Sequence, residues 1–393
     1  VLEMIFFLKK TLLGKGVVPP RKIILSFFIA CLITSPAAYG KKPVLVPETP
    51  AVSPQESDAI QKMLQSYVKK GDAVGNIIGL ISPAGKSIIA AGHISEDSRI
   101  QPDGDTFFEV GSISKIFTLV LFEDEVERGR MGVNDPIIQY FPSDMPFPKR
   151  KKVNVDFSIT YSTDKQVTLL NMANHTSGFP RDPEPWQMPH GWNPKDPSNV
   201  SLEMMKDFLG RFTFDRDPGE KFEYSNLNIA LLGYAIACRE KIDFDQLLNQ
   251  RVIQPLGLKD SHLSLTSDQE LRMASGYTQW GAVSPPIHPP VAFAGTGSLK
   301  STVNDLLKFE QYELEMRPTP LAKVIKDSRD LAFEMIHNPL GDALVMNGRT
   351  LGFTSLLVMV PGKKMGVVIL GNSVRFDVYD VALSLLKILT TKN

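Results

Sequence analysis

Phe108-Glu109-Val110-Gly111-Ser112-Ile113-Ser114-Lys115-Ile116-Phe117-Thr118 is the stretch from which the rest of the chain is read. Thr106 to Val110 has the apolar, β-branched and aromatic character of a strand, and the residues from Ile113 towards Arg128 that of a long apolar helix. Gly111 marks the turn between them. Ser112 therefore falls at a helix N-terminus, where free N–H groups and the dipole favour a developing oxyanion. Lys115 follows three residues later, on the same helix face, so its amine can reach the Ser112 hydroxyl. A nearby base is what turns an inert hydroxyl into a nucleophile.

Ser-x-x-Lys alone carries little, because the chain holds three further copies. Ser66 to Lys69 and Ser384 to Lys387 read as edges of amphipathic helices, and Ser162 to Lys165 as a turn. A second element singles out Ser112. Tyr224-Ser225-Asn226 follows the turn signal Asp217-Pro218-Gly219-Glu220 and precedes an apolar helix, Leu227 to Cys238. Tyr224 read as a phenol shares a proton with Lys115 and Ser112. Asn226 is then expected to hold Lys115 and a substrate amide.

With these motifs in place the chain resembles the serine β-lactamase and penicillin-binding protein superfamily, and within it the class C-like branch. That branch carries Tyr-x-Asn as its second motif and a Lys-Thr-Gly-type strand as its third. The likeness runs from about Ile77 to Asn372. It rests on the nucleophile segment, on Leu169 to Pro180 with its His175-Thr176-Ser177-Gly178, and on Pro218 to Asn226. Pro255-Leu256-Gly257-Leu258 and Ala294 to Thr302 are two further landmarks. The third motif departs. Its slot reads Met346-Asn347-Gly348-Arg349-Thr350-Leu351-Gly352-Phe353, so Met346 stands where the family has Lys or, in esterase-like members, His. In relatives that cation binds the substrate carboxylate, and losing a hydrogen bond to a charged group costs roughly 1.5–3 kcal/mol. Arg349 is no ready substitute, since strand residues three apart point to opposite faces.

The resemblance implies an α/β (α+β) β-lactamase/transpeptidase-like fold: an antiparallel sheet flanked by helices, plus an inserted all-helical lobe. The catalytic domain is expected over 56–390, with the α/β part at 56–110 and 295–390 and the helical lobe at 111–294. The resemblance also implies acyl transfer by Ser112, Lys115, Tyr224 and Asn226, substrate binding along Met346, Asn347, Gly348 and Arg349, and oxyanion donors at the backbone N–H groups of Ser112 and Arg349. D-Ala-D-Ala peptides, β-lactams and related esters or amides are the implied substrates. A catalytically weakened module that binds wall peptides is the alternative, motivated by Met346.

The bulk properties fit a globular protein. There are 43 basic and 43 acidic residues among 393, which points away from nucleic acid. Lys149-Arg150-Lys151-Lys152 reads as a solvated loop within a polar hairpin insertion, Asp144 to Gln166. Residues 1–40 read as an N-terminal extension and a secretory signal. Arg21 and Lys22 precede an apolar run from Ile23 to Ile33, too short to span a bilayer, and Ser35, Ala37, Ala38 and Gly40 offer a cleavage site. The apolar run continues past Cys31, against a lipoprotein anchor. Cleavage would leave a chain of formal charge −4 with one cysteine, Cys238, read as core. A periplasmic or secreted location follows, with a proline-rich linker over 41–55. No stable membrane span is expected in the mature chain. The six histidines show no metal spacing, so neither metal nor cofactor is expected, and His175 is read as loop packing rather than as part of a Ser-His-Asp triad.

Overall fold

The structure, a computed structural model, describes residues 49–390 apart from 157, 163–165, 184–199 and 289–292. The proposed signal segment, Cys31 and most of the linker lie outside the described residues. So does part of the 162–165 turn.

A six-stranded antiparallel sheet organises the molecule, in the order β2-β1-β11-β10-β9-β8. Its strands are β1 (Gly75–Ser82), β2 (Gly85–Gly92), β8 (Glu334–Asn338), β9 (Gly341–Arg349), β10 (Thr354–Val360) and β11 (Met365–Gly371). The first and last strands in sequence, β1 and β11, are neighbours in the sheet, with Ile78 opposite Ile369. Because both faces of β1 are covered, all eight of its residues are buried. Successive side chains alternate between faces. Ile78, Leu80, Leu356 and Ile369 join one apolar cluster, with Ile60 and Leu64 of helix α1 (Pro54–Lys70) and Val381 and Leu385 of the C-terminal helix Val378–Thr390. Ile77, Ile81, Leu357 and Val368 join the other and larger cluster, which includes the middle of the chain.

Local chemistry sets the element ends. α1 starts at a capping box between Ser53 and Glu56, with Pro54 in its first turn. It stops at Gly71, whose φ of 74° suits glycine. On the inner face, Gly79 lies against the helix Val303–Glu313. A Cβ there would sit 2.4 Å from Val303 Cγ1, so the absent side chain lets helix and sheet approach.

Between the two ends of the sheet lie helices. A single 3₁₀ turn, Gly111–Ile113, leads into α2 (Ser114–Glu127). α2 is buried on nearly every side, as an apolar helix enclosed by others must be. It packs against α4 (Asn226–Glu240), which follows α3 (Leu202–Arg211). The basic insertion folds as a hairpin of β4 (Lys149–Val153) and β5 (Ile159–Ser162), with β4 also pairing in parallel with β6 (Thr213–Phe214). A short ladder of β3 (Phe108–Glu109) and β7 (Lys300–Ser301) ties the segment before Ser112 to the one after Gly297.

The expected antiparallel sheet with flanking helices is the one observed. Three boundaries differ: the strand read over Thr106 to Val110 is confined to Phe108–Glu109. In sequence Leu351 to Val360 reads as one strand, but the strand begins at Thr354, because Leu351 and Gly352 are the tip of the β9–β10 hairpin, closed by Thr350 N–H donating to Phe353 O. Phe244 to Val252 reads in sequence as one helix, but it ends at Leu248 and continues as a π-helical turn, Asn249–Ile253. Among the described residues no helix is long and apolar enough to cross a membrane.

Candidate active site

The nucleophile turn is built by close backbone contact. Gly111 has φ 52°, and a Cβ on it would lie 2.6 Å from Arg349 N. Across the gap, a Cβ on Gly348 would lie 1.9 Å from Val110 O. Glycine at both positions therefore lets β9 run directly beside the turn that carries Ser112. Ser355 Oγ, on β10, donates to Val110 O at 2.8 Å and holds the turn to the sheet.

Three side chains meet there. Lys115 Nζ donates to Ser112 Oγ at 2.9 Å, and Tyr224 Oη donates to the same oxygen at 2.8 Å. The Lys115 amine also donates to the carbonyl of Thr296, at 2.8 Å. Lys115 is 2% exposed although Ser112 beside it is only half-buried. Burial lowers the Lys115 pKa; Tyr224 opposes that shift, Arg181 adds to it and Asp182 opposes it. A lysine in this setting can hold its neutral, basic form more readily than one in water.

The strand beside Ser112 offers a backbone donor. Arg349 pairs with Thr354, one step from the bonded Thr350–Phe353 pair. Bonded and non-bonded pairs alternate in an antiparallel ladder, so the Arg349 N–H points away from β10 and towards the nucleophile turn. It therefore lies on the same side of β9 as the turn that carries Ser112.

The other sequence-selected residues fall out as follows. Asn226 does not hold Lys115. Its side-chain amide donates to Asp182 Oδ1 at 2.7 Å, and its backbone N–H to Arg181 O, also at 2.7 Å. The contact with Lys115 expected of it is made instead by the Thr296 carbonyl, because the Ala294–Gly297 helix, not the start of α4, is what reaches the amine. Met346 is half-buried and packs against the larger core cluster, on the same strand face as Leu344. Asn347 and Arg349 alternate to the other face, and Arg349 is exposed.

His175 does not touch Ser112. It is buried in the left-handed conformation, φ 59°, and its ring lies 4.7 Å from that of Tyr224 at a 30° tilt. Its Nδ1 accepts the Ser225 N–H at 3.2 Å. Burial, with the Lys115 charge second, lowers its pKa to about 3, so the ring is neutral at ordinary pH. It packs and orients the phenol. Cys238 is half-buried in α4, and burial pushes its thiol pKa up, the opposite of activation. Among the described residues no group of His, Cys, Asp and Glu side chains could hold a metal ion.

Sequence reasoning missed Thr296, Arg181, Asp182 and Ser355. Arg181 and Asp182 directly follow the His175 loop, so their place in sequence was a signal. Thr296 acts through its carbonyl and Ser355 on one, and residue identity does not report such contacts.

Comparison with protein-family models matches the family Beta-lactamase over residues 60–391. Over 296 residues the chain is 24% identical to the D-alanyl-D-alanine-carboxypeptidase/endopeptidase AmpH of Escherichia coli K12, spanning 75% of this chain and 70% of that protein. It is also 24% identical, over 368 residues, to a beta-lactamase of the same organism, with 82% and 90% covered. Among solved structures, a class C beta lactamase superposes with a TM-score of 0.72 at 19% identity, covering 86% of this chain and 98% of that one. The D-alanine carboxypeptidase AmpC from Burkholderia cenocepacia superposes with a TM-score of 0.70 at 22% identity, covering 85% and 98%.

Proposed function

This chain belongs to the beta-lactamase family and is a serine hydrolase of beta-lactamase-related type, and we propose that it works in the periplasm or outside the cell on D-Ala peptides, β-lactams or related esters and amides, through an acyl-enzyme on Ser112. One observation carries the catalytic part: the Lys115 amine and the Tyr224 phenol both lie within 2.9 Å of Ser112 Oγ.

With Lys115 neutral, its contact with Ser112 reverses and the serine hydroxyl donates to the amine lone pair. Oγ then attacks the substrate carbonyl carbon. The carbonyl oxygen becomes an oxyanion between the N–H groups of Ser112 and Arg349. Lys115 and Tyr224 pass the proton to the departing oxygen or nitrogen as its bond to carbon breaks. Water, deprotonated through Tyr224, later attacks the acyl carbon and restores Ser112. Asn226 keeps a binding role by fixing Asp182 and the Arg181 backbone at the mouth of the site.

Met346 favours neutral esters and amides over substrates that need a cation on β9, and it is the observation behind the alternative of a weakened, peptide-binding module. Turnover of nitrocefin and of short-chain p-nitrophenyl esters by the purified full chain and by Ser112→Ala tests the reading. Ester hydrolysis exceeding nitrocefin hydrolysis, and absent in Ser112→Ala, is expected. Binding of a fluorescent penicillin without any Ser112-dependent turnover would instead support the peptide-binding module.

A further inference from the structure

We infer that the β4–β5 hairpin is a docking surface for a lipid bilayer that carries anionic headgroups. The register fixes which side chains share a face. Lys151 stands opposite Tyr161 and Val153 opposite Ile159, and residues two apart along a strand point the same way. Lys149 and Lys151 of β4 therefore lie on one face with Ile159 and Tyr161 of β5, and all four are exposed. Val155, in the turn between the strands, is fully exposed. Three of the ten exposed large apolar side chains among the described residues thus fall within seven consecutive positions. A cluster of that kind differs from the single apolar residues scattered over any surface.

The charges around the patch are arranged to suit an anionic surface. Arg150 alternates to the opposite face, where it pairs with Asp217 at 2.6 Å. Asp156, the acid in the turn, is bent back on the hairpin: its carboxylate accepts the Ser158 N–H at 3.0 Å and the Ser158 hydroxyl at 2.6 Å. Asp144, where the insertion starts, accepts from Lys206 at 2.7 Å. The outward charge is that of the lysines. Lysines and apolar groups together decide the occupant. A soluble polyanion would engage Lys149 and Lys151 and leave Val155 and Ile159 in water. A bilayer interface engages both, because ammonium groups reach phosphate while the apolar side chains enter the headgroup boundary. Tyrosine also favours that boundary, with its ring on the apolar side and its hydroxyl in water. The hairpin is firmly rooted, since β4 pairs with Thr213–Phe214 and Arg150 holds Asp217, where the turn leading to Tyr224 begins. Docking through it fixes the bilayer beside the lobe that supplies the phenol.

Flotation of the full chain with lipid vesicles tests this. Binding to equimolar phosphatidylglycerol and phosphatidylcholine is expected, with little binding to phosphatidylcholine alone and weakening as salt is added. Lys149→Gln combined with Lys151→Gln is expected to lower the partition onto the anionic vesicles by about thirtyfold. Val155→Ser combined with Ile159→Ser is expected to lower it by about tenfold or more. Residues 1–40 are common to every variant, so the differences between variants read the hairpin alone. Wild-type protein that stays off the anionic vesicles overturns the inference, as does binding that neither pair of substitutions changes. Loss in the lysine pair alone, with equally tight binding of wild-type protein to dextran sulfate, also overturns it, since that pattern belongs to a soluble polyanion. Fluorophosphonate labelling of Ser112 is expected to be unchanged in all variants, which keeps the outcome separate from the hydrolase reading.

Discussion

Replacing Gly348 with Ala probes the contact on which the proposed oxyanion site depends. An ideal Cβ at this position would lie 1.9 Å from Val110 O and 2.4 Å from Ser355 Oγ, whereas real Cβ contacts do not fall below 3.0 Å. Backbone on one side and a buried hydroxyl on the other leave no flexible chain end to yield. β9 must therefore retreat from the nucleophile turn by on the order of 1 Å, a strain typical of overpacked sites that cost about 1–3 kcal/mol. That retreat would stretch the Ser355–Val110 hydrogen bond, now 2.8 Å, beyond useful length. It would also carry the Arg349 N–H away from the oxyanion, and losing one such donor costs roughly 100- to 1,000-fold in kcat. The assay pairs p-nitrophenyl acetate turnover with chemical denaturation. Gly362→Ala is the control, since a Cβ there meets nothing within 4 Å. A Gly348→Ala protein with lowered stability but wild-type kcat would refute the assignment of the oxyanion donor to Arg349. Wild-type behaviour in both measurements would refute the packing argument itself.

Three further outcomes are expected. Burial lowers the Lys115 pKa, while Tyr224 and Asp182 raise it; Asp182→Asn should therefore move the acid limb of the kcat/KM profile to lower pH, and a shift upward would contradict the assignment of Lys115 as the base. Because His175 titrates at about 3 in the fold against 6.5 in the free side chain, the native state binds fewer protons than the unfolded chain between those values. Its contribution is present above about pH 6.5 and is lost on acidification, on the order of a few kcal/mol. His175→Asn, which tolerates the left-handed backbone, should flatten stability between neutral and mildly acidic pH in urea titrations. Arg251 bonds Asp124 and also Glu125, the latter at 2.8 Å with Glu125 fully buried. Arg251→Met strands that carboxylate and should cost about 3–5 kcal/mol at neutral pH, read by thermal unfolding, with part recovered on acidification as Glu125 protonates; no loss would mean the network is neutral.

Much of the fold was legible because its signals are local. The Pro83-Ala84 turn between two β-branched runs marks the β1–β2 hairpin, and Pro361-Gly362 the turn between β10 and β11. The helix after Ser112 is written in a run of apolar residues. The pairing of β1 with β11 was not legible, since nothing in either strand names a partner almost 300 residues away; the family likeness implied an antiparallel sheet without naming its pairs. The hairpin tip at Leu351-Gly352 was misread as strand, because an apolar residue in a turn looks like one in a strand until the closing hydrogen bond is seen.

The same division runs through the site. Residue identity and short spacing named Ser112, Lys115 and Tyr224, because their chemistry resides in the side chains and two of them share one helical turn. Tertiary structure alone decided that the Lys115 amine leans on the Thr296 carbonyl, 181 residues distant. It also decided that Asn226 turns to Asp182, that the Arg349 N–H faces the nucleophile, and that Arg181 covers the phenol. Every residue except proline carries the same backbone N–H and all carry the same C=O, so a sequence cannot say which of them will be brought to a given point in space. That is set by how sheet, helices and loops close on one another.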